Sequence, residues 1–326
     1  MQADGVIGTQ GETEGAPMEQ IAVVGAGLIG RAWSIVFARA GFSVALWDPV
    51  AHAGPAALAY IAERLPELRE HGLLPDSPDA TMARIRLAPT LADAVSGATW
   101  VQENGPERVE DKRTLFAELD RLAAPDCVLA SSTSGIPASA FTEALAGRAR
   151  CLVAHPVNPP YLVPVVELCP APWTAPETVA RAREMMQRAG QVPATMNKEV
   201  PGFVLNRLQG ALLAEAFRLV DDGVVSPEDL DATVKHGLGL RWAFMGPFET
   251  IDLNAPGGLA DYCTRYGPLY MTLQQEMKPR AWSRELVSTL DAARRAEFPA
   301  NMQPVRQEWR DRRLMALLAH KAGQPD

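Results

Sequence analysis

The sequence predicts an α/β chain in two parts: a mostly parallel sheet layered with helices, followed by a region built only of helices. Three observations carry this prediction. From Ile21 to about residue 200, short apolar runs alternate with amphipathic stretches, the pattern of βαβ units. A glycine-rich turn joins the first apolar run to the first helical stretch. After Pro201 the strand-like runs stop, and residues 202–322 carry only helical patterns broken by Gly and Pro turns.

The elements follow in order. Residues 1–18 are rich in Gly and Glu and lack apolar periodicity, so they are expected to form a flexible tail, with Met18 a candidate start. The basic start and apolar middle of a secretory signal are missing, which makes cytoplasmic the default location. Strands are predicted at 21–24, 43–47, 85–88, 99–102, 127–130, 151–154, 163–168 and 192–195. Helices are predicted near 28–40, 52–70, 109–123, 137–147 and 175–189, and then over 203–222 and 227–237. The predicted domains are therefore 19–200 and 201–326, behind the tail.

Composition bounds the function. With 31 Lys+Arg against 39 Asp+Glu and a formal charge of -8, the chain lacks the basic excess of a nucleic-acid binder. No apolar run approaches the ~18 residues of a membrane helix. Cys127, Cys151, Cys169 and Cys263 form no C-x-x-C pair and read as reduced thiols, and no His or Cys pair has metal-ligand spacing. Histidine and lysine are scarce, five of each.

Gly25-Ala26-Gly27-Leu28-Ile29-Gly30 follows an apolar strand and opens a helix, the context in which G-x-G-x-x-G binds a dinucleotide. Glycines let the backbone approach a pyrophosphate, and the helix N-terminus presents N–H groups to it. Asp48 ends the second strand, where an acid grips the ribose 2′-hydroxyl. Pro-Val-Ala follows it, with no Arg or Lys for a 2′-phosphate, so NAD is favoured over NADP. The first domain is therefore read as dinucleotide-binding.

Chemistry must come from further along. Ser131–Pro137 follows the fifth strand, at the carboxyl end where ligands of open α/β sheets collect; its serines either bind substrate or cap a helix. His155 terminates the next strand, and twelve residues on Glu167 lies among valines. A carboxylate in such a run needs a partner, and an adjacent imidazole makes the two an oriented general base. Singly, each has a structural reading, a satisfied histidine and an edge-strand acid. The other histidines fall in helical or loop stretches, which leaves His155 as the candidate base. Asn206 follows Pro201-Gly202 in a helix whose apolar face is expected to carry Phe203, Leu205, Leu208 and Leu212. Its amide is a candidate substrate ligand or a surface residue.

These residues together resemble the 3-hydroxyacyl-CoA dehydrogenase superfamily, from about residue 19 to the C-terminal helix. Residues 154–161, 237–247 and 309–311 are most similar to its L-gulonate 3-dehydrogenase (lambda-crystallin) branch. The resemblance implies a Rossmann domain, a helical C-terminal dimerisation domain, a homodimer and a small-molecule substrate. It implies that His155 removes the proton of a 3-hydroxyl while NAD takes the hydride, and that Glu167 orients His155. Ser134 and Asn206 would bond the reacting oxygen and the imidazole region, with Asn158 in support. Glu107 and Lys112 match positions near the nicotinamide ribose. Gly135 departs from the gulonate branch, which often has Cys there.

Gulonate needs a positive anchor, and a bidentate arginine suits a carboxylate. Arg241 is the candidate, with an ion pair to Glu249 as the structural alternative. A CoA thioester calls for basic residues after the second strand. Residues 19–111 contain no lysine, only arginines such as Arg64, Arg69, Arg84 and Arg86, which counts against CoA. Carnitine dehydrogenase, a related activity, keeps Trp242, Phe244 and Phe248 in view as a cage for a trimethylammonium group. A dinucleotide-binding protein without turnover would require loss of the His155/Glu167 pair, and both residues are present.

Overall fold

The computed structural model describes residues 18–324, so the expected tail falls almost wholly outside the described residues. Eight strands form one sheet: β1 (Gln20–Val24), β2 (Ser43–Trp47), β3 (Ile85–Leu87), β4 (Ala98–Glu103), β5 (Val128–Ser131), β6 (Cys151–Pro156), β7 (Val165–Pro170) and β8 (Val192–Thr195). Their order is β3-β2-β1-β4-β5-β6-β7-β8. Every neighbouring pair is parallel except β6 with β7. Each predicted strand is present, with its ends shifted by two residues at most.

Both faces of the sheet are covered, which is why its strands read as continuous apolar runs. Ile21 and Val23 face one core with Trp33, Phe37, Ile61, Met186 and Met315. Ala22 and Val24 face the other with Phe116, Leu119 and Phe141. The helices that accompany the strands are α1 (Leu28–Arg39), α2 (Ala53–Glu70), α3 (Pro78–Met82), α4 (Leu91–Val95), α5 (Val109–Leu122), α6 (Ser139–Thr142) and α7 (Pro176–Arg188). The five-residue α3 and α4 are too short to show periodicity. Their signals are caps: Ser77 accepts the Ala80 N–H and Thr90 the Asp93 N–H, each at 3.1 Å. The helix predicted over 137–147 is a correction, since only Ser139–Thr142 is α-helical. The chain beyond it is drawn to α5, where Asp120 accepts the Gly147 N–H at 3.1 Å and pairs with Arg150 at 2.8 Å.

The remaining helices are α8 (Leu205–Asp221), α9 (Pro227–Thr233), which continues into a π-helical turn (Val234–Leu238), α10 (Gly239–Trp242), α11 (Pro247–Asp252), α12 (Gly258–Glu276), α13 (Arg284–Glu297) and α14 (Gln303–Ala322). The chain forms two compact units, one running to Val204 and taking in the chain from Trp309, the other Leu205–Glu308. The division falls inside α14, whose second half returns to the first unit. There Met315 is fully buried, and Arg312 pairs with Glu67 of α2 at 3.1 Å.

Phe203 is a second correction. It precedes α8 instead of lying on its apolar face, and it is fully buried in the first unit's core. Gly202 (φ 75°) and Phe203 (φ 52°) are both left-handed and turn the chain inward. A left-handed non-glycine costs about 1–2 kcal/mol, whereas burying a phenyl ring contributes about 1.5–3 kcal/mol, so burial offsets the strain. Leu208 and Leu212, expected on the same face, are exposed. Cys127, Cys151 and Cys169 are buried, and burial pushes each thiol up to about 12. Among the described residues no helix is long and apolar enough to cross a membrane.

Candidate active site

The glycine turn is built for close approach. Gly25 is left-handed at φ 96°, its N–H donating to Trp47 O at 2.7 Å, and a Cβ there would lie 2.9 Å from Asn104 O. At Gly30 a Cβ would lie 1.7 Å from Gly25 O, so this glycine lets α1 pack onto the turn. Gly27 differs, because nothing lies within 4 Å of its Cβ direction. That open space would admit a phosphate. No side chain caps α1 at Gly27, which leaves its first N–H groups for a ligand. Leu28 is exposed and Ile29 half-buried beside it. Asp48 accepts the Ala26 N–H at 2.7 Å on one oxygen and the Val50 N–H at 2.8 Å on the other. Each oxygen keeps a lone pair for a ribose hydroxyl. Turn, helix start and carboxylate together fit NAD.

Behind this turn lies a buried ion pair that sequence reasoning missed. Glu103, fully buried at the end of β4, receives Lys112 Nζ at 3.0 and 3.1 Å on its two oxygens. It also accepts Ser131 Oγ at 2.5 Å and the Gly105 N–H at 2.6 Å. An acid closing an apolar strand, nine residues before a scarce lysine, was the available signal. Lys112, implied to lie near the ribose, is itself buried beneath this surface, 3.9 Å from Glu107. Glu107 accepts Thr133 Oγ1 at 2.6 Å and the N–H groups of Ser134 and Gly135 at 2.9 and 3.2 Å. One carboxylate thus holds the loop that carries Ser134, which is exposed.

His155 and Glu167 are directly opposite in the antiparallel β6·β7 pair. His155 Nδ1 lies 2.8 Å from Glu167 Oε2, with the residues 5% and 2% exposed. Glu167 Oε1 accepts the Val204 N–H at 2.8 Å, and the Phe203 ring packs 5.4 Å from the imidazole. A carboxylate can only accept, so in a neutral imidazole the proton belongs on Nδ1 and Nε2 keeps the lone pair. Asn158, in a cis peptide with Pro159, is exposed and makes no bond to the pair.

Asn206 is the second residue of α8, and Arg241 lies in α10; both belong to the second unit. The alternative ion pair of Arg241 with Glu249 does not form, because Glu249 Oε2 accepts the Gly246 N–H at 2.7 Å and caps α11. Arg241 is exposed, as are Trp242, Phe244 and Phe248.

Two family models match this chain: the NAD binding domain of 3-hydroxyacyl-CoA dehydrogenase over residues 20–200, and its C-terminal domain over 202–297. A lambda-crystallin homolog from Bos taurus is 45% identical over 302 residues, 91% of this chain and 94% of the relative. An L-carnitine dehydrogenase from Streptomyces coelicolor is 40% identical over 252 residues, 77% and 78% of the two chains. Among solved structures, an NAD+-dependent dismutase, 5-formyl-3-hydroxy-2-methylpyridine 4-carboxylic acid 5-dehydrogenase, aligns with a TM-score of 0.82 and 30% identity. That alignment covers 95% of this chain and all of the other.

The two glycines make opposite predictions. Gly30→Ala forces backbone against backbone, a strain of about 1–3 kcal/mol that outweighs the ~1 kcal/mol gain in helix propensity, so the melting temperature falls. Gly27→Ala leaves it near wild type but weakens NAD binding roughly tenfold or more, since the methyl group occupies the phosphate approach. Calorimetric melting and NAD titration of the two variants check both outcomes.

Proposed function

Because the chain belongs to the 3-hydroxyacyl-CoA dehydrogenase family and is an NAD-dependent dehydrogenase, we propose that it oxidises the 3-hydroxyl of a small 3-hydroxy acid, L-gulonate to 3-dehydro-L-gulonate, with His155 as general base. The observation that carries the reading is the 2.8 Å contact of His155 Nδ1 with Glu167, which leaves Nε2 to take a proton. Bound NAD+ supplies the hydride acceptor. His155 Nε2 takes the hydroxyl proton as the carbonyl forms, and Glu167 holds the ring and stabilises the imidazolium. Ser134, on the loop tied to Glu107, donates to the reacting oxygen together with Asn206. Asn158, exposed in the β6–β7 turn, is the proposed supporting residue, and Glu107 faces the nicotinamide ribose with Lys112 buried behind it. Arg241 is the candidate for the substrate anion.

Gulonate is favoured over a CoA thioester by the absence of lysine from residues 19–111 and by the similarity to the lambda-crystallin homologs. Carnitine is the second reading, favoured by the similarity to L-carnitine dehydrogenase and by the exposed Trp242, Phe244 and Phe248. We also infer a homodimer formed through the second unit. Among the described residues, α8, α9, α10 and α12 bury no side chain, and Leu208, Leu240, Leu253 and Leu269 are exposed there. An apolar surface of this kind marks a protein interface, and a second copy is the occupant.

NADH absorbance with L-gulonate, carnitine, 3-hydroxybutyrate and 3-hydroxybutyryl-CoA tests the substrate, with L-gulonate giving the highest kcat/KM. A preference for the thioester contradicts the reading. In His155→Gln, turnover falls by about 10²–10⁴-fold while NAD still binds, whereas turnover near wild type contradicts the mechanism. Light scattering gives roughly twice the 35.2 kDa of one chain; a monomer contradicts the dimer.

A further inference from the structure

Arg31 directly follows Gly30, in the opening turns of α1 at the carboxyl end of the sheet. Among the described residues its guanidinium donates no hydrogen bond and forms no ion pair, and its Nε is buried without an acceptor. What holds it is a ring: the Arg31 Cζ lies 3.7 Å from the centroid of Tyr60 on α2. Stacking fixes the plane of a guanidinium and leaves its N–H edge free for an oxyanion.

The ring is itself anchored. Tyr60 Oη lies 2.7 Å from Tyr161 Oη, which donates to Asp311 of α14 at 3.4 Å. Tyr161 is fully buried six residues after His155, in the connection from β6 to β7. Arg31 is thus joined on one side to the nucleotide turn and on the other to the hairpin that carries the proposed base. Charge points the same way. Arg64, whose Nε is also buried without an acceptor, lies 5.6 Å from the same ring, and its partner Glu67 is shared with Arg312. The cluster is therefore short of negative charge within a chain of net charge -8. Asp311 lies beyond residue 297, where the C-terminal family model ends, so the platform rests on a helix outside both models.

We propose that Arg31 binds the carboxylate of the substrate; this rests on the 3-hydroxy acid reading above. The link through Tyr60 to Tyr161 favours the substrate end over the pyrophosphate, which needs only the turn and the start of α1.

The test is steady-state kinetics of wild type, Arg31→Gln and Arg31→Lys on L-gulonate, its uncharged γ-lactone, and whichever other acid the wild type oxidises. Arg31→Gln raises KM for the acid roughly tenfold or more, the loss expected for a charge-assisted bond, and leaves KM for NAD and for the lactone within about twofold. Arg31→Lys restores part of the loss. An unchanged KM for the acid overturns the assignment, and so does a rise in KM for NAD, which would move Arg31 to the pyrophosphate. A wild type that oxidises carnitine but not gulonate overturns the gulonate reading, and the Arg31 comparison is then decided on carnitine. A wild type that oxidises only the thioester overturns both.

Discussion

The contact between His155 and Glu167 sets the constraint that the rest of the first unit satisfies. Two buried ionisable groups must face each other at hydrogen-bond distance, because an unpaired buried carboxylate is costly. An antiparallel ladder does this directly, and β6·β7 is the single antiparallel pair in a sheet that is otherwise parallel. The reversal brings residues twelve apart in sequence face to face. It requires the tight Pro-rich connection that includes Tyr161. It also fixes where the chain must pass on leaving the sheet, since Val204 N–H takes the second oxygen of Glu167 and Phe203 packs on the ring. The left-handed conformation of Phe203 belongs to this constraint: the backbone bends so that phenyl and N–H both reach the pair.

A second polar seam ties the nucleotide turn to the loop bearing Ser134. Asn104 Nδ2 donates to Val24 O at 3.2 Å and to Gln102 O at 2.8 Å, and Asn104 Oδ1 accepts Ser132 Oγ at 2.7 Å. Ser132 in turn accepts Trp33 Nε1 of α1 at 3.0 Å. Glu103 and Lys112 lie beneath, and Glu107 grips the loop from above. Networks of this kind, fully satisfied, hold a loop in one conformation. A buried ion pair is weak evidence for stability, so its value here lies in fixing position.

Much of this was legible in the sequence, for identifiable reasons. Strands buried on both faces leave unbroken apolar runs, and all eight were readable. The glycine turn, Asp48, His155 and Glu167 each stood at a strand end or within an apolar run, where their chemistry is conspicuous. The segment after Ile136 was misread because a helical pattern says nothing of the clamp from Asp120 that draws the chain away. Phe203 was misread because periodicity cannot register a left-handed residue whose side chain belongs to another core. Glu103 escaped notice because its meaning depends on Lys112, and Arg31 because a stacked, unpaired guanidinium has no signature in sequence at all. The return of α14 to the first unit was equally hidden, since Asp311 and Met315 find their partners only in three dimensions.

The most direct test of the central claim is the tautomer of His155, read by 15N NMR of histidine-labelled enzyme at a pH where the imidazole is neutral. With Glu167 accepting from Nδ1, the proton resides on Nδ1, and Nε2 shows the shift of an unprotonated nitrogen. In Glu167→Gln that preference is lost. A neutral His155 protonated on Nε2 in the wild-type enzyme would contradict the account, because no lone pair would then face the substrate hydroxyl.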